Sequence, residues 1–224
     1  MTEWSRRLRL DPDGAELHPA AFSRAQIKKL EHILAAAPRE AAGTRFIFLP
    51  GLVGALGPAT SVAMSILGPT ARPARATLFD KSPARNWSLG WHQDRTIAVC
   101  ARIDTPGFGR WTRKAGIVHV VPPFALLERM LTLRIHLDPA GVDNAPLLIL
   151  PGSQRLGIVA EGEIPRLAAR APQVACLADR GDLWVYAAPI LHASARAARP
   201  ERRRVLQLLY SGEDLPNGLE WLGI

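Results

Sequence analysis

The chain has 224 residues, of which 48% are hydrophobic and 21% charged, with a formal net charge of +8. This length and composition are typical of one globular domain that buries its own core, and they exclude disordered and collagen-like proteins. No apolar run reaches the roughly 18 residues that a membrane span needs, and no hydrophobic region of a signal peptide follows Met1. Cys100 and Cys176 form no Cys-x-x-Cys pair, so we expect two small core residues and a cytoplasmic protein.

The positive charge does not by itself indicate a nucleic-acid-binding protein. The arginines are spread along the chain with one tight cluster at residues 202–204, aromatic residues make up 6%, and no DNA- or RNA-binding module pattern is present. We therefore expect neither nucleic acid nor membrane among the partners. The charge favours the attraction of small acidic ligands instead.

The N-terminal part of the sequence predicts helices. Residues 23–37 carry an apolar stripe at helical spacing. Ser23 and Gln26 have the spacing of a capping box at the start of this helix, and Pro38 closes it. A second, short helix is predicted over residues 58–67.

After residue 70 the sequence changes to short β-rich runs separated by turn residues such as Pro-Gly and Gly-Asp. The predicted strands cover residues 75–79, 97–103, 116–121, 131–137, 147–150, 174–177, 183–186 and 204–210. Short strands that follow a helical N-terminus predict a mainly β fold with flanking helices, in which the helices pack outside a sandwich or barrel. A parallel βαβ fold fits poorly, because few helices separate the strands.

Two His-x-Asp triplets, residues 92–94 and 136–138, are candidates for metal binding. On an extended chain, residues i and i+2 face the same side, so an imidazole and a carboxylate at this spacing can bind one ion. A second histidine from a distant strand would complete a facial triad and leave positions open for a co-substrate and O₂. The first triplet lies where a glycine-containing loop enters a strand, whereas the second lies on a regular half-polar strand.

His192 is the candidate for the third ligand, because it lies downstream, near the end of the β-rich region. The His-x-Asp spacing is close to the frequency expected by chance in a chain of this composition. The choice among the histidines therefore depends on a wider pattern of motifs.

Four stretches of the sequence form an ordered set of motifs. They are Trp-His-Gln-Asp at 91–94, Asp-Asn-Ala-Pro-Leu-Leu-Ile-Leu-Pro-Gly-Ser at 143–153, Gly-Asp leading to His-Ala-Ser over 181–194, and Arg-Arg-Val-Leu-Gln-Leu at 203–208. In this order they resemble the phytanoyl-CoA dioxygenase family of iron(II)/2-oxoglutarate oxygenases. The resemblance implies a single domain over residues 1–224. Its double-stranded β-helix core, of the jelly-roll or cupin-like kind, would cover residues 71–212, with mostly helical support at 1–70.

By that resemblance, His92, Asp94 and His192 bind iron(II), and 2-oxoglutarate and O₂ are the co-substrates. The family places an arginine eleven residues after the distal histidine, and here that arginine is Arg203. It is expected to bind the far carboxylate of 2-oxoglutarate, since a planar guanidinium pairs with a carboxylate through two hydrogen bonds. Arg204 is the alternative.

Further candidate residues follow from the same resemblance. Ser194 and Gln93 are expected to bind the co-substrate, although Gln93 points away from the metal unless its strand is irregular. Arg134, Trp91 and Trp87 are candidates for shaping the substrate pocket.

Two positions depart from the family pattern. Ala145 stands where the family has glycine, and Gln154 follows Ser153 where the family has histidine. Neither position is expected to contact iron, so the departures concern the substrate wall.

The implied activity is hydroxylation of an unactivated C–H bond of a small-molecule substrate, with succinate and CO₂ as co-products. A ligating Asp94 favours hydroxylation or desaturation over halogenation, because related halogenases lack this carboxylate. The alternatives are a cupin-like metalloenzyme that does not use 2-oxoglutarate and a non-catalytic small-ligand-binding protein on the same scaffold. The sequence leaves the substrate and the oligomeric state open.

Overall fold

The strands of the protein form three antiparallel sheets. The structure, a computed structural model, describes residues 7–37, 43–46 and 48–224. The strands are β1 (Ala15–His18), β2 (Gly43–Phe46), β3 (Arg72–Lys81), β4 (Leu89–His92), β5 (Ile97–Val99), β6 (Gly109–Lys114), β7 (Ile117–Val121), β8 (Leu131–His136), β9 (Leu147–Ile149), β10 (Val174–Cys176), β11 (Leu183–Ala187), β12 (His192–Ser194) and β13 (Arg203–Ser211). The major sheet has the order β1-β11-β8-β13-β3-β2, the minor sheet β10-β9-β12-β4, and a small sheet β5-β7-β6.

Short helices accompany the sheets. They are α1 (Leu10–Asp13), α2 (Arg24–Leu34), α3 (Leu52–Ala55), α4 (Gly57–Leu67), α5 (Phe124–Leu127) and α6 (Ile164–Arg170). The predicted capping box is present in α2: Ser23 Oγ accepts from the Gln26 backbone N–H, and Gln26 Oε1 accepts from the Ser23 N–H at 2.8 Å. Pro38 lies outside the described residues. None of the helices in the described ranges is long and apolar enough to cross a membrane.

The two faces of the major sheet differ in polarity. The outer face packs against α2, α3 and α4, and its side chains, such as Leu133, Leu206 and Leu208, are fully buried in that core. The inner face looks toward the minor sheet. At one end of the space between the sheets, Trp184 and Tyr186 of β11 form an apolar cluster with residues of β9 and β10. At the other end the inner face is polar, which leaves room there for a site.

The predicted mainly β fold with flanking helices is confirmed, because two facing antiparallel sheets carry the helices on the outside. All eight predicted strands are present, although the strand predicted over 97–103 ends at Val99. Sequence reasoning missed β1, β2, β4, β6 and β12. Two of these, β1 and β2, lie within residues 1–70, which were predicted to be mostly helical, and they form the two edges of the major sheet.

The two cysteines have different environments. Cys176 is buried in β10, as predicted, and burial raises the pKa of its thiol to about 12. Cys100 is exposed, so its prediction as a core residue is wrong. The C-terminal segment runs beside β5 there, and the Cys100 thiol donates to the carbonyl of Trp221 at 3.1 Å.

The turn before β9 contains a strained residue. Ala145, which stands where the family has glycine, has a φ of +51° and is 3% exposed. The left-handed conformation costs a residue with a Cβ roughly 1–2 kcal/mol. The Ala145 carbonyl accepts a hydrogen bond from Ser194 Oγ at 3.3 Å, so this turn contacts β12.

Replacing Ala145 with glycine is expected to raise the free energy of unfolding by about 1 kcal/mol, because glycine adopts a positive φ without steric cost. Ala175 provides the control. It lies in the regular strand β10, where the same change to glycine is expected to lower the free energy of unfolding by about 0.5–1 kcal/mol. Urea unfolding measures both values. A loss of stability in Ala145→Gly as large as that in Ala175→Gly would contradict the assignment of strain.

Candidate metal centre

The three predicted metal ligands lie together at one edge of the minor sheet. His92 ends β4 and His192 begins β12, and the two are cross-strand partners. Such partners project from the same face of a sheet, so the strand pairing brings the imidazoles together, with ring centroids 4.2 Å apart. Asp94 follows in the loop after β4. One potential ligand atom from each of the three side chains lies within 4.8 Å of the other two.

Backbone carbonyls orient both imidazoles. His92 Nδ1 lies 2.7 Å from the carbonyl oxygen of Gly90, and His192 Nδ1 lies 2.9 Å from that of Ile190. Because a carbonyl can only accept, each Nδ1 carries the proton, and each Nε2 keeps a lone pair for a metal. A hydrogen bond from the ring nitrogen that does not bind the metal is the usual way in which proteins orient a histidine ligand.

Asp94 carries the negative charge of this cluster, and Arg75 lies beside it, with Nη2 3.4 Å from Asp94 Oδ2. Burial disfavours ionisation of Asp94, but Arg75, the two histidines and Arg45 outweigh it and hold the pKa of this carboxyl below its ordinary value. Burial, reinforced by His92, lowers the pKa of His192 to about 4. An ionised carboxylate and a neutral imidazole are the forms that bind a metal.

This set of donors fits iron(II). Two imidazole nitrogens and one carboxylate oxygen form the facial triad of non-haem iron oxygenases, and they leave positions for a co-substrate and O₂. The second triplet of the sequence does not form such a set. Asp138 pairs with Arg204 at 2.7 Å, and neither ring nitrogen of His136 has a hydrogen-bond partner in the described part of the chain.

Gln93 lines the cavity, and backbone groups engage its side-chain amide. Its Nε2 donates to the carbonyls of Gly157 and Pro189, both at 2.9 Å, and its Oε1 accepts from the Val159 N–H at 3.0 Å. These backbone partners occupy the amide, so it has little capacity left for a co-substrate. Gln93 instead ties the loop after β9 to the segment before His192.

The Pro-Gly-Ser motif also supports the metal centre. Ser153 is 5% exposed, and its Oγ accepts a hydrogen bond from the backbone N–H of Leu191 at 2.9 Å. Because Leu191 immediately precedes His192, this bond fixes the start of β12. The motif therefore acts on the metal ligand through the backbone.

A buried guanidinium lies in the same cavity as the metal ligands. Arg203 begins β13 and is 2% exposed, and its Nε and Nη1 have no hydrogen-bond partner among the described residues. Its cross-strand partner is Lys81 on β3, whose Nζ donates to Ser194 Oγ at 3.1 Å and to the Ala195 carbonyl at 2.9 Å. A buried cation without a counter-charge is costly, so this end of the cavity favours an anion.

Arg204 faces away from the cavity. Its guanidinium donates to Asp138 at 2.7 Å and to Glu31 on α2 at 2.6 Å. Adjacent residues of a strand point to opposite faces, so Arg203 and Arg204 cannot share one side of the sheet. Of the two candidates, Arg203 reaches the cavity and Arg204 ties α2 to the sheet.

The cavity has a volume of about 530 Å³, and Arg134 and Trp87 line it together with the metal ligands. Arg134 Nη1 donates to Gln207 Oε1 at 2.6 Å. Lys81 Nζ lies over the ring of Trp87, 5.1 Å from the ring centroid. Trp91 does not line this cavity, so its prediction as a pocket residue is wrong. It precedes His92 on β4, points to the other face, and packs on the apolar cluster beside α6.

Arg75, Lys81 and His119 are among the polar residues of this cavity that sequence reasoning missed. A signal for two of them exists in β3, where Arg75, Thr77, Phe79 and Lys81 occupy alternate positions and all face the cavity. Basic residues at the same-face positions of a buried strand require counter-charges, which a ligand can provide.

Comparisons with known proteins bear on the family and the fold of the chain. The phytanoyl-CoA dioxygenase (PhyH) family model matches residues 57–205. Among solved structures, AviO1 from Streptomyces viridochromogenes Tue57 is 19% identical with a TM-score of 0.65, over 93% of this chain and 94% of that one. EctD from S. alaskensis with 2-oxoglutarate and 5-hydroxyectoine is 20% identical with a TM-score of 0.69, over 96% of this chain and 77% of that one. The carbocyclase SnoK from nogalamycin biosynthesis is 16% identical with a TM-score of 0.66, over 100% of this chain and 88% of that one. No curated protein matches in sequence.

These neighbours confirm the predicted double-stranded β-helix fold. The fold and its cluster of two histidines and one carboxylate define the class of non-haem iron(II)/2-oxoglutarate-dependent oxygenases. Because the family model matches more than half of the chain, the protein belongs to the phytanoyl-CoA dioxygenase family. Iron(II), 2-oxoglutarate and O₂ are accordingly its metal and co-substrates.

Replacing His192 with alanine is expected to lower the affinity for iron(II) at least about 100-fold, since even outer contacts of a metal ligand contribute 10- to 100-fold. Anaerobic titration calorimetry measures the affinity. His32→Ala removes an exposed histidine on α2 and should leave iron binding unchanged. Equal affinities in the wild type and His192→Ala would argue against this metal centre.

Proposed function

We propose that the protein is a 2-oxoglutarate-dependent hydroxylase that oxidises an unactivated C–H bond of a small-molecule substrate. His92, Asp94 and His192 hold the iron(II), and Arg203 binds the far carboxylate of 2-oxoglutarate. The observation that carries the proposal is the buried guanidinium of Arg203, with two unpartnered nitrogens, in the same cavity as the three metal ligands.

A carboxylate is the partner that Arg203 lacks. Burial, and after it the positive charge of Arg134, lowers the pKa of Arg203 to about 9, as expected for a buried cation without a counter-charge. A carboxylate accepting from the Arg203 guanidinium would supply the counter-charge through charge-assisted hydrogen bonds. Lys81, the cross-strand partner of Arg203, provides a second cation, and its Nζ donates to Ser194 Oγ at 3.1 Å, so a hydroxyl lies next to it.

The chain's own residues position and shield the reaction. Iron(II), 2-oxoglutarate and O₂, when bound, supply the oxidising power, with succinate and CO₂ as co-products. The His92 and His192 hydrogen bonds to backbone carbonyls hold both imidazoles ready without reorganisation. The Asp94 carboxylate occupies the position that a halide would need, which supports hydroxylation rather than halogenation.

Arg203→Gln is expected to weaken 2-oxoglutarate binding at least about tenfold, because a charge-assisted pair contributes about 1.5–3 kcal/mol. Anaerobic calorimetry with the iron-loaded protein measures the affinity. Arg204→Gln is the matched control, since it removes the same charge from the opposite face and should leave the affinity unchanged. Succinate formation in a panel of small molecules then tests turnover, and no 2-oxoglutarate binding in the wild type would contradict the proposal.

The affinity for 2-oxoglutarate is expected to fall as the pH rises above about 8. Burial, with Arg203 and Arg134, lowers the pKa of Lys81 to about 8, so its charge is present below this pH and lost above it. A bound dianion favours the charged form, so the affinity should decrease by up to about tenfold per pH unit above pH 8. Calorimetry from pH 6.5 to 8.5, below the pKa of Arg203, measures this. In Lys81→Gln the decrease should disappear; an unchanged pH profile would exclude Lys81 as its source.

A further inference from the structure

The small sheet supplies a second group of cations to the cavity. Along β6, Arg110 and Lys114 line the cavity, Trp111 and Arg113 line a separate groove, and Thr112 lies between the two and lines both. Lys114 follows Thr112 by two residues, as strand alternation requires, whereas Arg110 lies where the pairing of β6 with β7 is irregular and has a φ of +50°. They do not belong to the end of the cavity that holds Arg203.

These cations lie at the open end of the cavity. Arg110 and Lys114 are exposed, as is Arg45 on β2, which also lines the cavity, whereas Arg134 and Arg203 are buried at the closed end. Within residues 7–37, 43–46 and 48–224, no carboxylate forms an ion pair with Arg45, Arg110 or Lys114. Three cations at the mouth of a concave site attract an anion and raise its local concentration.

A buried histidine beside them is also unsatisfied. His119 on β7 is 1% exposed and lines the cavity, and its cross-strand partner on β6 is Thr112. Nδ1 lies 3.0 Å from the Ile117 carbonyl and therefore carries the proton, and Nε2 has no hydrogen-bond partner among the described residues. In the neutral ring Nε2 is an acceptor, so it requires a donor such as a hydroxyl group.

The known ligands of the family do not neutralise this cavity. Eight basic side chains line it against the two carboxylates of Asp94 and Glu161. Arg75 lies beside Asp94, and Arg95 lies 3.6 Å from Glu161, so each carboxylate already has a cation. The charges of iron(II) and of the 2-oxoglutarate dianion cancel each other. The positive charge at the mouth therefore remains for the substrate.

We propose that the substrate is a small molecule with a dianionic group, a phosphate or a pair of carboxylates, that binds Arg45, Arg110 and Lys114, and with a nearby hydroxyl that donates to His119 Nε2. This inference rests on the proposed function, because it names the substrate class of that site. A cavity of about 530 Å³ encloses a small molecule and does not admit a nucleic-acid duplex.

The test is anaerobic titration calorimetry of the iron-loaded protein with saturating 2-oxoglutarate, which fills the closed end. The probes are propyl phosphate and isophthalate as dianions, butyrate as a monoanion and 1-propanol as a neutral molecule. We expect at least one dianion to bind, with an affinity that falls as the salt concentration rises, and we expect no binding of 1-propanol. Whether propyl phosphate or isophthalate binds more tightly identifies the acidic group. Butyrate binding as tightly as both dianions would overturn the proposal.

Two charge-neutralising variants locate the binding. Arg110→Gln and Lys114→Gln should each lower the affinity for the tighter-binding dianion about five- to tenfold. Both side chains are exposed, so neither change is expected to disturb folding. Arg113→Gln is the matched control on the opposite face of the same strand. An equal loss in Arg113→Gln, or no loss in the first two variants, would overturn the proposal.

Glycerol 3-phosphate tests the role of His119, because it adds hydroxyls to propyl phosphate. It should bind more tightly than propyl phosphate in the wild type, and His119→Phe should remove that advantage. An advantage that persists in His119→Phe would exclude the histidine contact. These measurements do not require turnover. An active enzyme that binds no dianion therefore contradicts this inference alone, and a protein that binds dianions but not 2-oxoglutarate contradicts the proposed function alone.

Discussion

The cross-strand pairing of His92 with His192 is the constraint on which the site depends. It places two imidazoles on one face of the minor sheet, and the two backbone carbonyls that accept from Nδ1 leave both Nε2 atoms directed to a common point. Asp94 reaches the same point because it follows His92 by two residues. The supporting bonds of Gln93 and Ser153 act on this pairing, since both fix the chain just before His192.

Strand alternation explains which parts of the site the sequence could predict. It predicted that one of Arg203 and Arg204 faces inward, and family spacing selected the one that lies in the cavity. Applied to β4, the same rule predicts that Trp91 and His92 point to opposite faces. It could not be applied from the sequence, because β4 has only four residues, one of them glycine, and gives no clear strand pattern. The mainly β fold was predictable because its longer strands alternate clearly, whereas β12 has three residues and owes its existence to its neighbours.

The unpredicted part of the site consists of charges whose meaning depends on burial. Lys81 and Arg75 look in the sequence like ordinary basic residues of a strand, which are mostly exposed. Only the fold shows that they share one cavity with Arg203 and Arg134, where burial and the charges of these two arginines lower the pKa of Lys81. Anions that fill this cavity should stabilise the protein as well as bind it, because the folded state alone offers the site.

An anaerobic crystal structure with iron(II) and 2-oxoglutarate tests the central claim most directly. Anomalous scattering locates the metal independently of the protein. The result we expect is iron bound to Nε2 of His92, Nε2 of His192 and the carboxylate of Asp94, with the far carboxylate of 2-oxoglutarate on Arg203. Iron bound elsewhere, or a 2-oxoglutarate whose far carboxylate does not reach Arg203, would contradict the account.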